Sequence, residues 1–475
     1  MRFHQTTEEF REFARRSRDV VVLAAVTGVV TGFAVAGFER LVVDGMLEHL
    51  LELSPWVLAF VPLVGLAVAW AALRFVGRTD SPATADLYIV AYHDTERPLR
   101  LREVPGRMLA AIATLGSGGA MGMEGPSLYL GASIGTFLQR RFPSMTAGSS
   151  RRVLLVAGAA AGVAAIFKAP ATGVVFALEV PYQEDLARRM LLPALVSSAS
   201  SYLAFVAVNG TDTLLNVRGS APFSFTDLAG AVVLGAAAGL CARAFAWLVR
   251  QAKSIPARTP PLVHVLAGGL AMAAIFAIAW QVTGRPVTLG VGYATIEWAT
   301  TEHAIGVLVL ILVLRCLATA ATVAGGGVGG LFIPLVVAGA LLGRITAEVT
   351  GDSKSTLFVI IGVAAFLGAG YRVPLAAVML VAEASGRPGF VVPALLAAVA
   401  ASLVMGRASV SACSASMGIA RDLAQSHRRR RRPRTTARLT RTARPSRRRA
   451  TRAAARARRG TVHSVARACG RHRRP

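Results

Sequence analysis

Acidic residues are scarce in this chain: 25 of its 475 residues are Asp or Glu, and none follows His427. Charged residues of either sign make up 16%, whereas 54% are hydrophobic, and the mean hydropathy is +0.54. A soluble globular domain carries more charge than this. The composition therefore excludes an ordinary soluble protein and indicates a chain that lies largely within a membrane.

Cysteine and histidine are also rare, with four and eight copies scattered along the chain. No spacing typical of a zinc site or a disulfide framework occurs among them. Neither a nucleophile–base arrangement nor a phosphate-binding G-x-x-x-x-G-K-[ST] loop is apparent. We therefore expect no metal, no cofactor and no enzymatic activity.

Long stretches without charge are abundant, and several reach the roughly 17–25 residues that a membrane-spanning helix needs. They are residues 20–38, 53–73, 259–284, 316–343 and 388–406. Other apolar runs are too short to cross a membrane alone. The pattern predicts an all-α, multi-span membrane protein that mixes full and broken helices.

The charge distribution divides the chain into three segments. Residues 1–19 predict an amphipathic cytoplasmic helix, residues 20–426 a transmembrane domain with halves at about 20–209 and 227–410, and residues 427–475 a tail. Arginines near both ends favour cytoplasmic termini in the cell (inner or plasma) membrane.

The tail has 20 arginines between residues 428 and 475. Since it lacks acids and has few apolar residues, it should be disordered and could bind anionic lipid headgroups or nucleic acid. A membrane-anchored lipid or nucleic-acid binder is therefore an alternative function. Translation outside the original reading frame would also explain the monotonous tail.

One carboxylate, Glu124, lies inside an apolar region, in GSGGAMGMEGPSLYLGASIG (residues 116–135). Pro126 is well tolerated in the first turn of a helix, so a helix should begin near Glu124. The first N–H groups of a helix lack partners and attract anions. Because an ionisable residue at membrane depth by default marks an ion path, we predict an anion site with a titratable carboxylate.

The two halves of the chain share a spacing pattern. Pro126 and Pro334 each follow a glycine-rich segment and each precede glycines at +5 and +9. For Gly131 and Gly135, which are four residues apart, close helix packing is the favoured interpretation. Internal repeats with broken helices are typical of transporters whose site lies at the repeat interface.

A second spacing also occurs once in each half. Pro170 precedes Glu179 by nine residues, and Pro374 precedes Glu383 by nine. These glutamates can be interpreted as caps of neighbouring backbone, which is our expectation for Glu383. For Glu179 a role in a proton path is an equal alternative.

Three ordered motifs resemble those of the CLC family of chloride channels and chloride/proton antiporters. GMEGPSLYLGASIG is similar to its G-[KR]-E-G-P stretch, GAAAGVAAIFKAPATGVVFALEV to the helix pair that follows, and GGLFIP (residues 329–334) to G-G-I-F-x-P. The resemblance covers roughly residues 20–410. It implies inverted structural repeats and a homodimer with one anion pathway per subunit.

The resemblance also implies roles for individual residues. Glu124 matches the gating glutamate, whose carboxylate occupies an anion position when the path is shut. Leu331 and Phe332 match positions whose backbone amides face the central anion. Of the first family motif, G-S-G-x-P-E, this chain keeps only the serine in TDSPAT. The expected anion-binding set is Ser81, Gly122, Gly125, Leu331 and Phe332.

Three positions depart from the family pattern. Met123 replaces the usual Lys or Arg before the gate. Val180 stands where the antiporters carry a second, cytoplasm-facing glutamate, and the family's channels often have valine there. Ser411 stands where a tyrosine should close the inner side of the central site, and no tyrosine follows it.

These observations predict chloride transport across the cell membrane, gated by protonation of Glu124 and channel-like because of Val180. A chloride/proton antiporter is the alternative. The expected partners are chloride, protons, a second copy of the chain, the bilayer, and anionic lipid at the tail.

Overall fold

The computed structural model describes residues 2–94, 97–146, 150, 152–182, 190–211, 223–351 and 355–411. The chain divides into two units, Met1–Val410 and Ser411–Pro475. Of the second unit only Ser411 is described, so the predicted Arg-rich tail lies outside the described residues.

The described ranges contain eighteen α-helices and no strand. They are α1 (Arg2–Val42), α2 (Glu48–Leu51), α3 (Pro55–Leu58), α4 (Val61–Ala71), α5 (Ala85–His93), α6 (Val104–Gly116), α7 (Glu124–Arg141), α8 (Val153–Phe167), α9 (Pro170–Glu179), α10 (Leu191–Asn209), α11 (Phe225–Ser254), α12 (Pro261–Thr283), α13 (Tyr293–Ala299), α14 (Ile305–Ala324), α15 (Phe332–Thr350), α16 (Ser355–Tyr371), α17 (Pro374–Ser385) and α18 (Val391–Met405).

Seven helical segments in the described ranges are long and apolar enough to cross a membrane. They are Arg18–Leu51, Pro55–Val76, Leu191–Asn209, Phe225–Ser254, Pro261–Thr283, Ile305–Ala324 and Phe332–Thr350. Five shorter apolar helices accompany them, among them α8, α9 and α17. The prediction of an all-α, multi-span membrane protein is therefore confirmed.

Helices α7 to α9 in the first half correspond to α15 to α17 in the second. In each half the first helix packs on the second and the second on the third, and α9 packs on α17 across the halves. Prolines start α9 and α17, at Pro170 and Pro374, because a residue without an N–H is accepted at the first helical position. The repeat inferred from spacing is thus a repeat of structure.

Glycines bring the paired helices into backbone contact in both halves. A Cβ atom added at Gly131 would lie 2.1 Å from the Gly158 carbonyl oxygen, and one added at Gly339 would lie 2.4 Å from that of Gly362. Any side chain here would force the helices apart. Close packing, expected for Gly131, is what this glycine provides.

Helix α1 runs without a break from Arg2 to Val42. Between the two halves, α10 ends at Asn209 and α11 begins at Phe225. The division of the chain into residues 1–19, 20–426 and 427–475 stays a prediction.

Candidate anion pathway

Two broken helices meet with their N-termini together. Immediately before α7 and α15, Gly122 and Gly330 form an isolated antiparallel bridge. The Gly122 N–H donates to the Gly330 carbonyl at 2.9 Å, and the Gly330 N–H returns the bond at 2.7 Å. The antiparallel pairing is what a two-fold relation between inverted halves produces, and it places two helix N-termini side by side.

The Glu124 side chain covers the N-terminus of α15. It is 2% exposed, and its Oε1 atom accepts a hydrogen bond from the Phe332 N–H at 2.5 Å. Because the Phe332 N–H lies at the start of α15 and lacks an intrahelical partner, the carboxylate holds a position suited to an anion.

The second carboxylate oxygen of Glu124 has no hydrogen-bond partner among the described residues, although it is buried. A buried, unpaired carboxylate oxygen is costly, so this conformation is held by the contacts of Oε1. The side chain therefore has one anchor, the N-terminus of α15.

The predicted glycines supply room for that carboxylate. A Cβ atom added at Gly330 or at Gly122 would lie 1.9 Å from a Glu124 carboxylate oxygen. Since the bridge occupies the N–H of Gly122, this residue contributes space and not an anion-binding amide. A Cβ atom at Gly125 would lie 2.8 Å from the Thr84 hydroxyl and 3.0 Å from the Gly329 carbonyl.

Thr84, and not Ser81, brings a hydroxyl to the site. Ser81 is exposed, and its hydroxyl lies 3.4 Å from the Ala83 N–H. Thr84 is buried, precedes α5, and donates to the Gly329 carbonyl at 3.4 Å. This placement has a local reason: the helix does not start at Ser81-Pro82 but at Ala85, with Thr84 as the preceding residue.

A buried arginine holds the lead-in to α5. Arg107 donates to the carbonyls of Ser81 and Ala83 at 2.5 and 2.6 Å, and pairs with Glu103 at 2.9 Å. These bonds fix the backbone that presents Thr84. The sequence signal for this role is that Arg107 is a cation in the otherwise apolar first turn of α6.

Aromatic rings surround the side chain of Phe332. The Phe167 and Phe176 ring centroids lie 4.4 and 5.2 Å from that of Phe332, and the Tyr371 centroid lies 6.4 Å away. The structure thus brings Phe332, the first residue of α15, to Glu124, with Leu331 directly before it.

Glu179 and Glu383 cap each other's helices. Glu179, at the end of α9, accepts from the N–H groups of Leu375 and Ala376 at the start of α17. Glu383, on α17, accepts from the N–H groups of Ala171 and Thr172 at the start of α9. The capping interpretation describes both carboxylates. Ser411 belongs to the second unit.

Comparison with known proteins agrees with this arrangement. Residues 64–406 match the model of the voltage-gated chloride channel family. The H(+)/Cl(-) exchange transporter ClcA of Vibrio parahaemolyticus is 27% identical over 424 residues, which cover 84% of this chain and 90% of that protein. ClcA of Cronobacter sakazakii is 27% identical over 413 residues, covering 81% and 86%.

Solved structures show the same fold. A CLC-type fluoride/proton antiporter superposes with a TM-score of 0.71 at 22% identity, covering 82% of this chain and 96% of that one. A slow cyanobacterial Cl-/H+ antiporter gives 0.72 at 21% identity, covering 86% and 99%. Since the family model spans well over half of the sequence, this multi-span membrane protein belongs to the CLC family of voltage-gated chloride channels.

Proposed function

We propose that this protein exchanges chloride for protons across the membrane, with the Glu124 carboxylate alternating with chloride at the N-terminus of α15. The single observation that carries the proposal is the hydrogen bond from the Phe332 N–H to Glu124 Oε1. The bond places a protonatable carboxylate on an amide that chloride would also need. The same position can therefore hold either the Glu124 carboxylate, which takes up the proton, or chloride.

The exchange follows from competition for this amide. Ionised Glu124 forms a charge-assisted hydrogen bond with it and excludes chloride. Protonation removes the charge that favours this bond, so the neutral side chain leaves and chloride can bind. Uncharged amides bind chloride weakly enough for it to leave again. Proton uptake by Glu124 and chloride entry are therefore linked events.

Exchange is preferred here to the channel that Val180 suggested. The relatives that match most of this chain are named H(+)/Cl(-) exchange transporters, which favours the antiporter alternative. Glu179 is occupied with the N–H groups of Leu375 and Ala376. We therefore assign it a capping role and propose that protons travel inward from Glu124 through water.

The assembly belongs to the same proposal. Two copies would work side by side in the cell membrane, each with its own pathway and with both termini in the cytoplasm. The arginines of the tail would then lie where anionic headgroups attract them.

Purified protein in liposomes provides the test. Under an outward chloride gradient, protons should move against their own gradient, and Glu124→Gln should abolish this proton movement while chloride still flows. Glu348→Gln is the matched control, because Glu348 pairs with Arg344 near the other end of α15. Chloride flow without proton movement in the unmutated protein would make it a channel instead.

A further inference from the structure

Two buried threonines occupy equivalent positions in the two halves. Thr114 lies two residues before the end of α6, and Thr322 lies two residues before the end of α14. Both are 0% exposed, and their hydroxyls donate to the carbonyls one turn earlier, Ala110 at 2.8 Å and Ala318 at 2.9 Å. Each hydroxyl proton is therefore used within its own helix, which leaves the oxygen lone pairs as acceptors.

The oxygens of these hydroxyls accept hydrogen bonds from the opposite half of the chain. The Val328 N–H donates to Thr114 Oγ1 at 3.1 Å. The Ala120 N–H donates to Thr322 Oγ1, also at 3.1 Å. Val328 and Ala120 lie in the glycine-rich segments that lead into α15 and α7. Because a backbone N–H inside a membrane has no water to bond, each of these donors needs a protein acceptor, and the threonine of the other half supplies it.

The bonds to the threonines lie next to the bridge between Gly122 and Gly330. Each bridge glycine comes two residues after an N–H that a threonine accepts, and Glu124 and Phe332 come two residues after the bridge glycines. In each segment, two alternate residues are thus bonded across the halves just before a helix begins. The next groups along the chain are the two partners at the proposed site, the Glu124 carboxylate and the Phe332 N–H.

The methyl groups of both threonines pack against both glycine-rich segments. A Cβ atom added at Gly119 would lie 2.8 Å from Cγ2 of Thr114 and 3.2 Å from Cγ2 of Thr322. One added at Gly327 would lie 3.0 and 2.8 Å from the same two atoms. Threonine therefore supplies shape through its methyl group and an acceptor through its hydroxyl. Valine keeps the shape without the acceptor, and serine keeps the acceptor without the methyl group.

We propose that Thr114 and Thr322 are positioning residues for the exchange, whose hydroxyls hold the two glycine-rich segments so that the Glu124 carboxylate reaches the Phe332 N–H. Without a hydroxyl, a buried N–H loses its acceptor and finds another only if its segment shifts. A hydrogen bond weakens steeply as its geometry departs from linear, so such a shift loosens the carboxylate from the α15 N-terminus. The inference rests on the proposed function, and neither threonine is assigned as a ligand of chloride or of the proton.

The number of chloride ions moved per proton in liposomes tests this role. In Thr322→Val and in Thr114→Val this ratio should rise several-fold, because a carboxylate that is no longer seated lets chloride pass without a proton. Thr322→Ser and Thr114→Ser should restore the original ratio. A loss of fold stability alone would not change how many chloride ions accompany each proton.

Thr319→Val is the matched control, because Thr319 is also fully buried on α14 and its hydroxyl donates to the Arg315 carbonyl within that helix. Its ratio should equal that of the unmutated protein. Equal ratios for Thr319→Val and Thr322→Val would overturn the proposal. So would a change in the valine variants that serine at the same position fails to reverse.

A second measurement uses the unmutated chain and does not depend on how a variant folds. In amide hydrogen exchange, the N–H groups of Ala120 and Val328 should exchange slowly and at the same rate with and without chloride, because threonines and not the anion hold them. Slow exchange only in the presence of chloride would refute the positioning role. Proton movement that is intact in the unmutated protein and abolished in Glu124→Gln would leave the proposed function standing in that case.

Discussion

At the scale of single residues, the size of Gly330 decides where the Glu124 carboxylate can lie. An alanine Cβ would fall 1.9 Å from Oε1 and 2.2 Å from the carboxyl carbon, and 2.7 Å from the Gly125 nitrogen. Real side chains do not tolerate such contacts, so the carboxylate must leave the α15 amides. The space at this one position therefore lets the Glu124 carboxylate reach the Phe332 N–H.

We predict that Gly330→Ala makes chloride flux in liposomes lose most of its pH dependence, since the displaced carboxylate no longer competes for the amides. The overpacked backbone should also cost about 1–3 kcal/mol of stability. Gly306→Ala is the control, because a Cβ atom there meets nothing within 4 Å. Unchanged pH dependence in a folded Gly330→Ala protein would contradict the prediction.

The backbone N–H of residue 332 is the second single group on which chloride binding should depend. Phe332→Pro removes this N–H, which donates to Glu124, while proline remains acceptable at the first position of a helix. Chloride affinity measured by calorimetry should therefore fall. Ile305→Pro makes the same change at the exposed first residue of α14 and should leave chloride affinity intact.

Conservative side-chain changes at residue 331 should alter the rate of chloride transport more than the selectivity among anions.

At the scale of helices, the reciprocal caps lock α9 and α17 together. Glu383 accepts from the N–H groups of Ala171 and Thr172 and from the Thr172 hydroxyl, all at 2.7–2.8 Å. The start of each helix would otherwise leave unpaired N–H donors, which are costly in a membrane. Each carboxylate removes that cost for the other helix.

Glu383→Gln should therefore lower the free energy of unfolding by about 1–3 kcal/mol, because neutral amide oxygens accept less strongly and one oxygen is lost. The shift in thermal unfolding temperature in detergent measures this. Asp80→Asn is the comparison, since the Arg74–Asp80 pair is largely exposed and should contribute little. Equal shifts for the two variants would show that the cap is unimportant.

At the scale of the whole molecule, the chain up to Val410 forms one compact unit. We predict that a chain ending at Gln425 purifies with the same oligomeric state and exchanges chloride. Residues 427–475 have too little apolar surface for its burial to offset the conformational entropy that would be lost on ordering them. A chain ending at Met405 should lose stability, since it lacks the Gly406 carbonyl and the Val410 N–H that hold the end of α16. Loss of exchange in the chain that ends at Gln425 would count against a dispensable tail.

The sequence by itself determined where the broken helices begin. Prolines and glycines act on their own backbone, so the starts near Glu124 and at Pro170 and Pro374 could be predicted from local chemistry. The apolar run 259–284 likewise predicted a span close to Pro261–Thr283, because burial in lipid depends on composition.

Only the tertiary structure decided which groups meet. Thr84, rather than the predicted Ser81, lies beside Gly125, because Arg107 holds the backbone that leads into Thr84. Glu124 meets Phe332, and Glu179 meets Ala376, across separations of 208 and 197 residues. Local preferences set how each segment folds, but such contacts depend on how helices from two inverted halves pack, and the packing is a property of the whole chain.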